Sequence, residues 1–359
     1  MSASSSARRI AVPLSIGLDP MERLVVASFR GDPEYVGLEP QVFDDPVNGK
    51  GMRVLRQRRD GKIDVYWQAG VNVDPATISI GAGIGDFAEV SIDPAHFEIT
   101  PSGVDLHCAF QDVQGRKVEF KLTEHGDRPS RFPFLAPVGD QVSEPQRLFL
   151  VYMLDFDFVR RRSTEVHAAI GNRGLRPASI PLLRAGRRIL LMRYSDRPLI
   201  GFFNPPMDSP TLFETAVPGN VAIGGMRMQV DASGRVVQAA SGESVQSVQV
   251  DFAPGFPNLL GLSETETEKG TWAVRIAGAA ITGGTYYVRR TGSTVASRID
   301  VTDKWSPSGL PPGCTLLTKV VPSFRNWPTT YRWESTVQLD EGLALTGGWK
   351  RTTRKGNRC

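Results

Sequence analysis

Glycine and proline limit this chain more than any motif does. There are 36 glycines and 26 prolines among 359 residues. Few windows hold a helix longer than three turns, because proline removes a helical donor and interior glycine weakens a helix. Between the breaks apolar and polar residues alternate, as in "MRVLRQR", "KIDVYWQ", "VDLHCAFQD", "RKVEFKLTE", "LFLVYMLDFDFV", "TEVHAAI", "CTLLTKVV" and "YRWESTVQL". A period of two is the mark of strands. Turn signals at Asp60-Gly61, Gln114-Gly115, Ala185-Gly186, Ser233-Gly234 and Gly283-Gly284 read as antiparallel hairpins. The best helix candidate is a short one at "DPMERLVVASF", with Asp19 capping and Pro20 in the first turn. The expectation is an all-β protein of two antiparallel β-barrels or curved sandwiches packed together.

A chain of this length exceeds one ordinary core. The stretch "NPPMDSPTLFETAVPGN", Asn204 to Asn220, carries four prolines and no alternation. This divides the chain into a disordered tail over 1–18, a β-barrel or sandwich over 19–205, a Pro-rich linker over 206–220 and a second barrel over 221–359. The N-terminus lacks the continuous apolar core of a signal peptide. No apolar run approaches the ~20 residues of a membrane span, which leaves transient contact as the only membrane role. Cys108, Cys314 and Cys359 are dispersed and odd in number, as free thiols of a reducing cytoplasm would be. The net charge of +4 sits largely in turns and in "WKRTTRKGNRC", without a recognition helix or stacking motif, so no nucleic-acid partner is expected.

Cofactor motifs fare no better. In "ISIGAGIGDF" the glycines Gly81, Gly83 and Gly85 follow a strand-like run, yet a dinucleotide loop must open a helix to hold the pyrophosphate. Another strand pattern, "DFAEVSIDP", follows instead. No P-loop, nucleophile elbow or HExxH helix occurs, and the expectation is a protein without a cofactor.

One strand does carry chemistry. In "VYMLDFDFVRRR", Val151 to Arg162, Asp155 and Asp157 point to one face while Phe156 and Phe158 point to the other. Only "RRRS" separates this run from "TEVHAAI". A hairpin would bring Asp155 and Asp157 opposite Glu165 and His167. Facing a cavity, such crowded acids would hold their protons and could donate them. Facing water, they would pair with Arg160, Arg161 and Arg162. His107, His167 and Asp155 also make up a two-His, one-carboxylate set, though nothing in the spacing demands a metal and none is expected. His96 and His125 lie in solvated connections. Alternation sends one member of each aromatic pair, Tyr66/Trp67, Tyr286/Tyr287 and Tyr331/Trp333, to each face. Tyr66, Trp67, His107, Tyr152, Met153, Tyr286 and Trp333 are the candidate walls for a bulky apolar ligand.

The segment "YRWESTVQLDEGLALTGGWKR", Tyr331 to Arg351, with "PGCTLLTKVVPSFRNW" before it, resembles the closing hairpin of the duplicated lipocalin-like superfamily. That superfamily includes the carotenoid 1,2-hydratases and the fungal decalin-forming Diels–Alderases. Trp333, Glu334, Leu345, Thr346 and Gly347 match its pattern; Ser335, Ala344 and Gly348 depart from it. The resemblance implies two lipocalin-like barrels with an apolar pocket that hydrates, cyclises or folds polyene-like substrates without redox cofactors, and Glu334 as a residue carried over.

Together these point to a cofactor-independent cyclase, hydratase or isomerase acting on a hydrophobic isoprenoid- or polyketide-like molecule. Its acid would come from Asp155, Asp157, Glu165 or Glu334, with His167 or His107 as proton acceptor. A lipid or metabolite carrier on the same architecture, and a carbohydrate-active β-sandwich enzyme, are the alternatives.

Overall fold

The computed structural model describes residues 7–352 except 76–77, 79–81, 102, 126–130, 137–144, 161, 163, 182–187, 244–245, 322–323, 325–326 and 341. Among the described residues the chain is mostly β, with 65% strand, one α-helix and several antiparallel sheets, one of them strongly curled into a half barrel. It separates into two compact units. The first comprises Met1–Leu18, Pro137–Leu150 and Gly201–Cys359, and the second Asp19–Ala136 and Val151–Ile200. No described helix is long and apolar enough to cross a membrane.

The second unit is a two-layer sandwich. One layer runs, in spatial order, through Leu148–Arg160 (this unit takes Val151 onward), Arg188–Ser195, Arg23–Arg30, Tyr35–Asp45, Gly49–Arg58, Ile63–Trp67 and Ile84–Glu89. The other orders Arg173–Gly174, Thr164–Ile170, Lys117–Glu124, Gly103–Gln111 and Ala95–Thr100. Alternation decides what meets between them: Val25, Ala27, Leu38, Val54 and Met192 from the first layer join Leu106, Cys108, Phe120 and Ile170 from the second in one buried cluster. Phe29 meets Phe120 edge-on, and Tyr66 meets Phe110 with ring centroids 4.8 Å apart.

The first unit is built on a nine-stranded antiparallel meander from Gly219–Ile223 to Ala344–Arg351, each strand pairing with its neighbour in sequence. One buried row crosses it through Tyr286, Ile299, Trp333 and Trp349. The Trp349 indole N–H donates to the carbonyls of Phe203 (3.1 Å) and Asn204 (3.0 Å).

Several expectations need correction. The "DPMERLVVASF" stretch is no helix: it enters the Arg23–Arg30 strand, whose Val25, Ala27 and Phe29 face the core. Apolar residues at period two prevail over a cap signal. The helix is Pro312–Val320, read above as a strand, with a proline in its first turn, where a missing N–H costs nothing. Residues 1–6 lie outside the described residues, but the rest of the supposed tail is ordered. Arg8–Val12 pairs with Thr211–Thr215, a strand inside the stretch taken as linker. Gly283-Gly284 lies within the Ala279–Thr291 strand, where a Cβ on Gly284 would sit 2.0 Å from the Asp300 carbonyl oxygen. The turn before that strand is at Ala277-Gly278, both with positive φ. The Ala185-Gly186 signal, Gly81 and Cys359 lie outside the described residues.

Candidate functional site

The hairpin expected to gather the acids does not form. Thr164–Ile170 pairs with Lys117–Glu124 and with Arg173–Gly174 in the five-stranded layer. Leu148–Arg160 pairs with Phe132–Ala136 and Arg188–Ser195. The two strands lie in different layers. Asp155 and Asp157 are therefore not cross-strand neighbours of Glu165 and His167. Asp155 accepts from the Arg197 guanidinium at 2.5 and 2.8 Å. Glu165 and His167 lie on the exposed face of the five-stranded layer.

That face holds a row the sequence did not reveal, because it spans four strands. His96, His107, Lys121 and His167 are successive cross-strand partners. His96 sits 3.2 Å from an Asp105 carboxylate oxygen, and His107 3.1 Å from Glu119. Among the described residues no group of three or more His, Cys, Asp or Glu is arranged to hold a metal ion.

Asp157 does turn inward. It faces the sandwich interior beside Tyr194, its cross-strand partner, and joins Glu124 from the opposite layer. The Tyr194 hydroxyl lies 3.1 Å from Glu124 and 3.5 Å from Asp157. Arg160 donates to Asp157 at 2.6 Å, and its backbone N–H donates to Glu124 at 2.9 Å. Burial raises both carboxyls above their ordinary range, with Arg160 opposing. The folded chain thus binds these protons more tightly than the unfolded one. Their contribution to stability is complete below the ordinary carboxylate range and is lost as pH rises through the raised values. Wild-type urea midpoints should consequently fall as pH rises above the ordinary carboxylate range, and less so in Glu124→Gln. Parallel pH curves for the two would show that the pair does not titrate there.

The remaining candidates scatter. Tyr66, Tyr152, Met153, Tyr286 and Trp333 are buried. The Tyr66 hydroxyl donates to Asp86 at 2.7 Å, and that of Tyr286 to the Pro254 carbonyl at 2.7 Å. Trp67 is half-buried against Phe87, ring centroids 4.5 Å apart. Tyr331 and Trp333, two residues apart, share the buried face rather than dividing between faces. Glu334 lines an open groove of about 540 Å³ on the nine-stranded sheet with Tyr287, Arg298 and Lys350, and is held by Lys350 at 2.9 Å. Burial pushes the Cys108 thiol up to about 12, which leaves it inert.

A different constellation emerges on the other face of the first layer of the sandwich. Register places Phe158, Arg193 and Val26 side by side there, and likewise Phe156, Ser195, Leu24, Gln41, Arg53 and Trp67. Glu39 lies on the same face, opposite Leu55. A one-sided sheet would solvate this face. Here Leu24, Gln41, Phe43, Arg53, Leu55, Phe156 and Ser195 are all buried. Among the described residues the Glu39 carboxylate accepts only from two glutamine amides, Gln41 at 3.1 Å and Gln57 at 3.2 Å. Burial raises this carboxyl above its ordinary range, against the attraction of the two amides, Arg193 and Arg53. Arg53 is committed elsewhere: its Nε donates to Gln41 at 2.7 Å, and its guanidinium covers the Phe43 ring at 4.6 Å.

Arg193 is uncommitted. Its Nε is buried without a hydrogen-bond partner among the described residues. It is deep in the fold, its basicity lowered by burial, with Glu39 the acid whose charge opposes that. Glu39, Gln57 and Arg193 nevertheless keep part of their surface accessible among buried neighbours. Neither residue stands out in the sequence, because "VGLEPQVFDD" and "RRILLMRY" alternate as any half-solvated strand does.

Comparison with protein-family models, curated proteins and solved structures finds no match to this chain.

Proposed function

We propose that the chain is a cofactor-independent isomerase or cyclase that acts on a hydrophobic, unsaturated small molecule with Glu39 as its proton donor. The observation that carries this is the Glu39 carboxyl itself, deep in the fold, held by two glutamine amides rather than by a cation, and raised by burial. A carboxyl of that kind stays neutral where an exposed one ionises, and is available as a general acid. Leu24, Phe43, Leu55 and Phe156 on the same face provide apolar walls. The resemblance of Tyr331–Arg351 to the lipocalin-like superfamily supports the same class of substrate.

The step balances without a co-reactant. Glu39 gives its proton to one carbon of an alkene, and the resulting cation rearranges or closes a ring. Loss of a proton from a neighbouring carbon to the Glu39 carboxylate then restores the acid. Capture of the cation by water, with one proton returned to Glu39, is the hydratase variant.

The test is conversion of isoprenoid and polyketide-type polyenes followed by absorbance and mass spectrometry. Glu39→Gln, with an unchanged far-UV spectrum, should lower turnover by ~10²–10⁴-fold. Wild-type activity should fall as pH rises through the raised Glu39 value, since the protonated form is the active one. Turnover equal to wild type in Glu39→Gln would refute the assignment, and binding of polyenes without conversion would make the chain a carrier.

A further inference from the structure

We infer that the substrate is a carboxylic acid and that Arg193 is the residue that holds its carboxylate. This rests on the site just described and names the kind of molecule that fills it.

A guanidinium in a protein interior is ordinarily matched by a carboxylate, because an unpaired buried charge is costly. Two other arginines of this unit obey it. Arg56 meets Asp64 and Asp112, both at 2.9 Å, and Arg116 meets Asp112 and Glu34. Arg193 departs from it: among the described residues it has no ion pair and no hydrogen bond, and Glu39 acts on it only at a distance. The missing partner is an anion from outside the chain. A planar guanidinium matches the two oxygens of a carboxylate.

The two functional groups are also coupled. Arg193 is one of the charges that hold the Glu39 carboxyl down. An anion bound to Arg193 cancels that attraction and strengthens the hold of Glu39 on its proton. Substrate binding therefore keeps the acid in its active form. The Arg23–Arg30 strand runs between the two, with Val26 opposite Arg193, so two strand spacings, ~10 Å, separate their backbones.

The experiment is fluorescence titration of the intact protein with a conjugated polyene fatty acid, cis-parinaric acid, and with its methyl ester. Wild type should bind the acid at least tenfold more tightly than the ester. Arg193→Met should bind both with the ester's affinity, Arg193→Lys should recover part of the preference, and Glu39→Gln should keep it. Binding of the acid should take up protons above the raised Glu39 value, read by calorimetry in buffers of different ionisation enthalpy. Equal binding of acid and ester by wild type would overturn the inference while leaving the apolar site of the proposed function standing. Retention of the full preference in Arg193→Met would do the same. Failure of wild type to bind either ligand would overturn both.

Discussion

Replacing Arg56 with Met should destabilise the second unit by ~3–5 kcal/mol, the loss typical when one member of a buried ion network is removed. The Arg56 side chain is fully buried, as are those of Asp64 and Asp112. Its Nε donates to Asp64, one terminal nitrogen donates to Asp112, and the other meets the Tyr66 hydroxyl at 3.0 Å and Asp86 at 3.2 Å. The guanidinium also lies over the Tyr35 ring at 4.2 Å. Without it two enclosed carboxylates lose their shared cation. Asp112 keeps Arg116 at 2.9 Å, whereas Asp64 keeps the more distant Arg58 at 3.3 Å and the backbone N–H of Asp86 at 2.8 Å. Hydrogen exchange resolved by segment should show lost protection in Gly49–Arg58, Ile63–Trp67 and Gly103–Gln111 ahead of the nine-stranded sheet. Wild-type protection in those strands would mean that the network contributes nothing net. Nearby, Glu34 is held down to about 2, burial opposing, by Arg173, Tyr35 and Arg116. Its stabilising effect is therefore present above the ordinary glutamate range and is lost as pH falls through about 2.

Trp333→Ala should cost the first unit ~3–5 kcal/mol. Trp333 is 1% exposed and sits between Ile299 and Trp349 in the row that crosses the meander, so truncation opens a cavity that neighbouring strands cannot fill. Its sequence neighbour gives the contrast. Glu334 points to the opposite face, half-exposed and paired with Lys350, so Glu334→Ala should change stability by under ~1 kcal/mol. Urea denaturation read by tryptophan emission compares the two directly. A large loss in Glu334→Ala, or a small one in Trp333→Ala, would reverse the roles given to the two halves of this motif. The Trp-Glu pattern behind the family resemblance thus contains one packing residue and one surface ion pair.

How far the site could be read from sequence follows from the range of the forces involved. The two faces of "VYMLDFDFVRRR" were legible, since alternation depends only on the pleat: Phe156 and Phe158 do share one face, and Asp157 lies on the other with Tyr194. The partner strands were not. A short connection reads as a hairpin, but Leu148–Arg160 pairs with Phe132–Ala136, the strand before it, and with Arg188–Ser195, while Thr164–Ile170 joins the other layer. His96, His107 and His167 lie far apart in sequence, and only register aligns them.

By itself the sequence determined the class of this protein. The density of glycine and proline, the period of two and the turns at Asp60-Gly61, Gln114-Gly115 and Ser233-Gly234 are local properties, and local sterics suffice to translate them into antiparallel strands. Which polar face is covered was decided only by tertiary structure. Glu39 and Arg193 sit in strands that alternate no differently from solvated ones, and burial, the force that sets their chemistry, belongs to the assembled sheets and not to the spacing of residues along the chain.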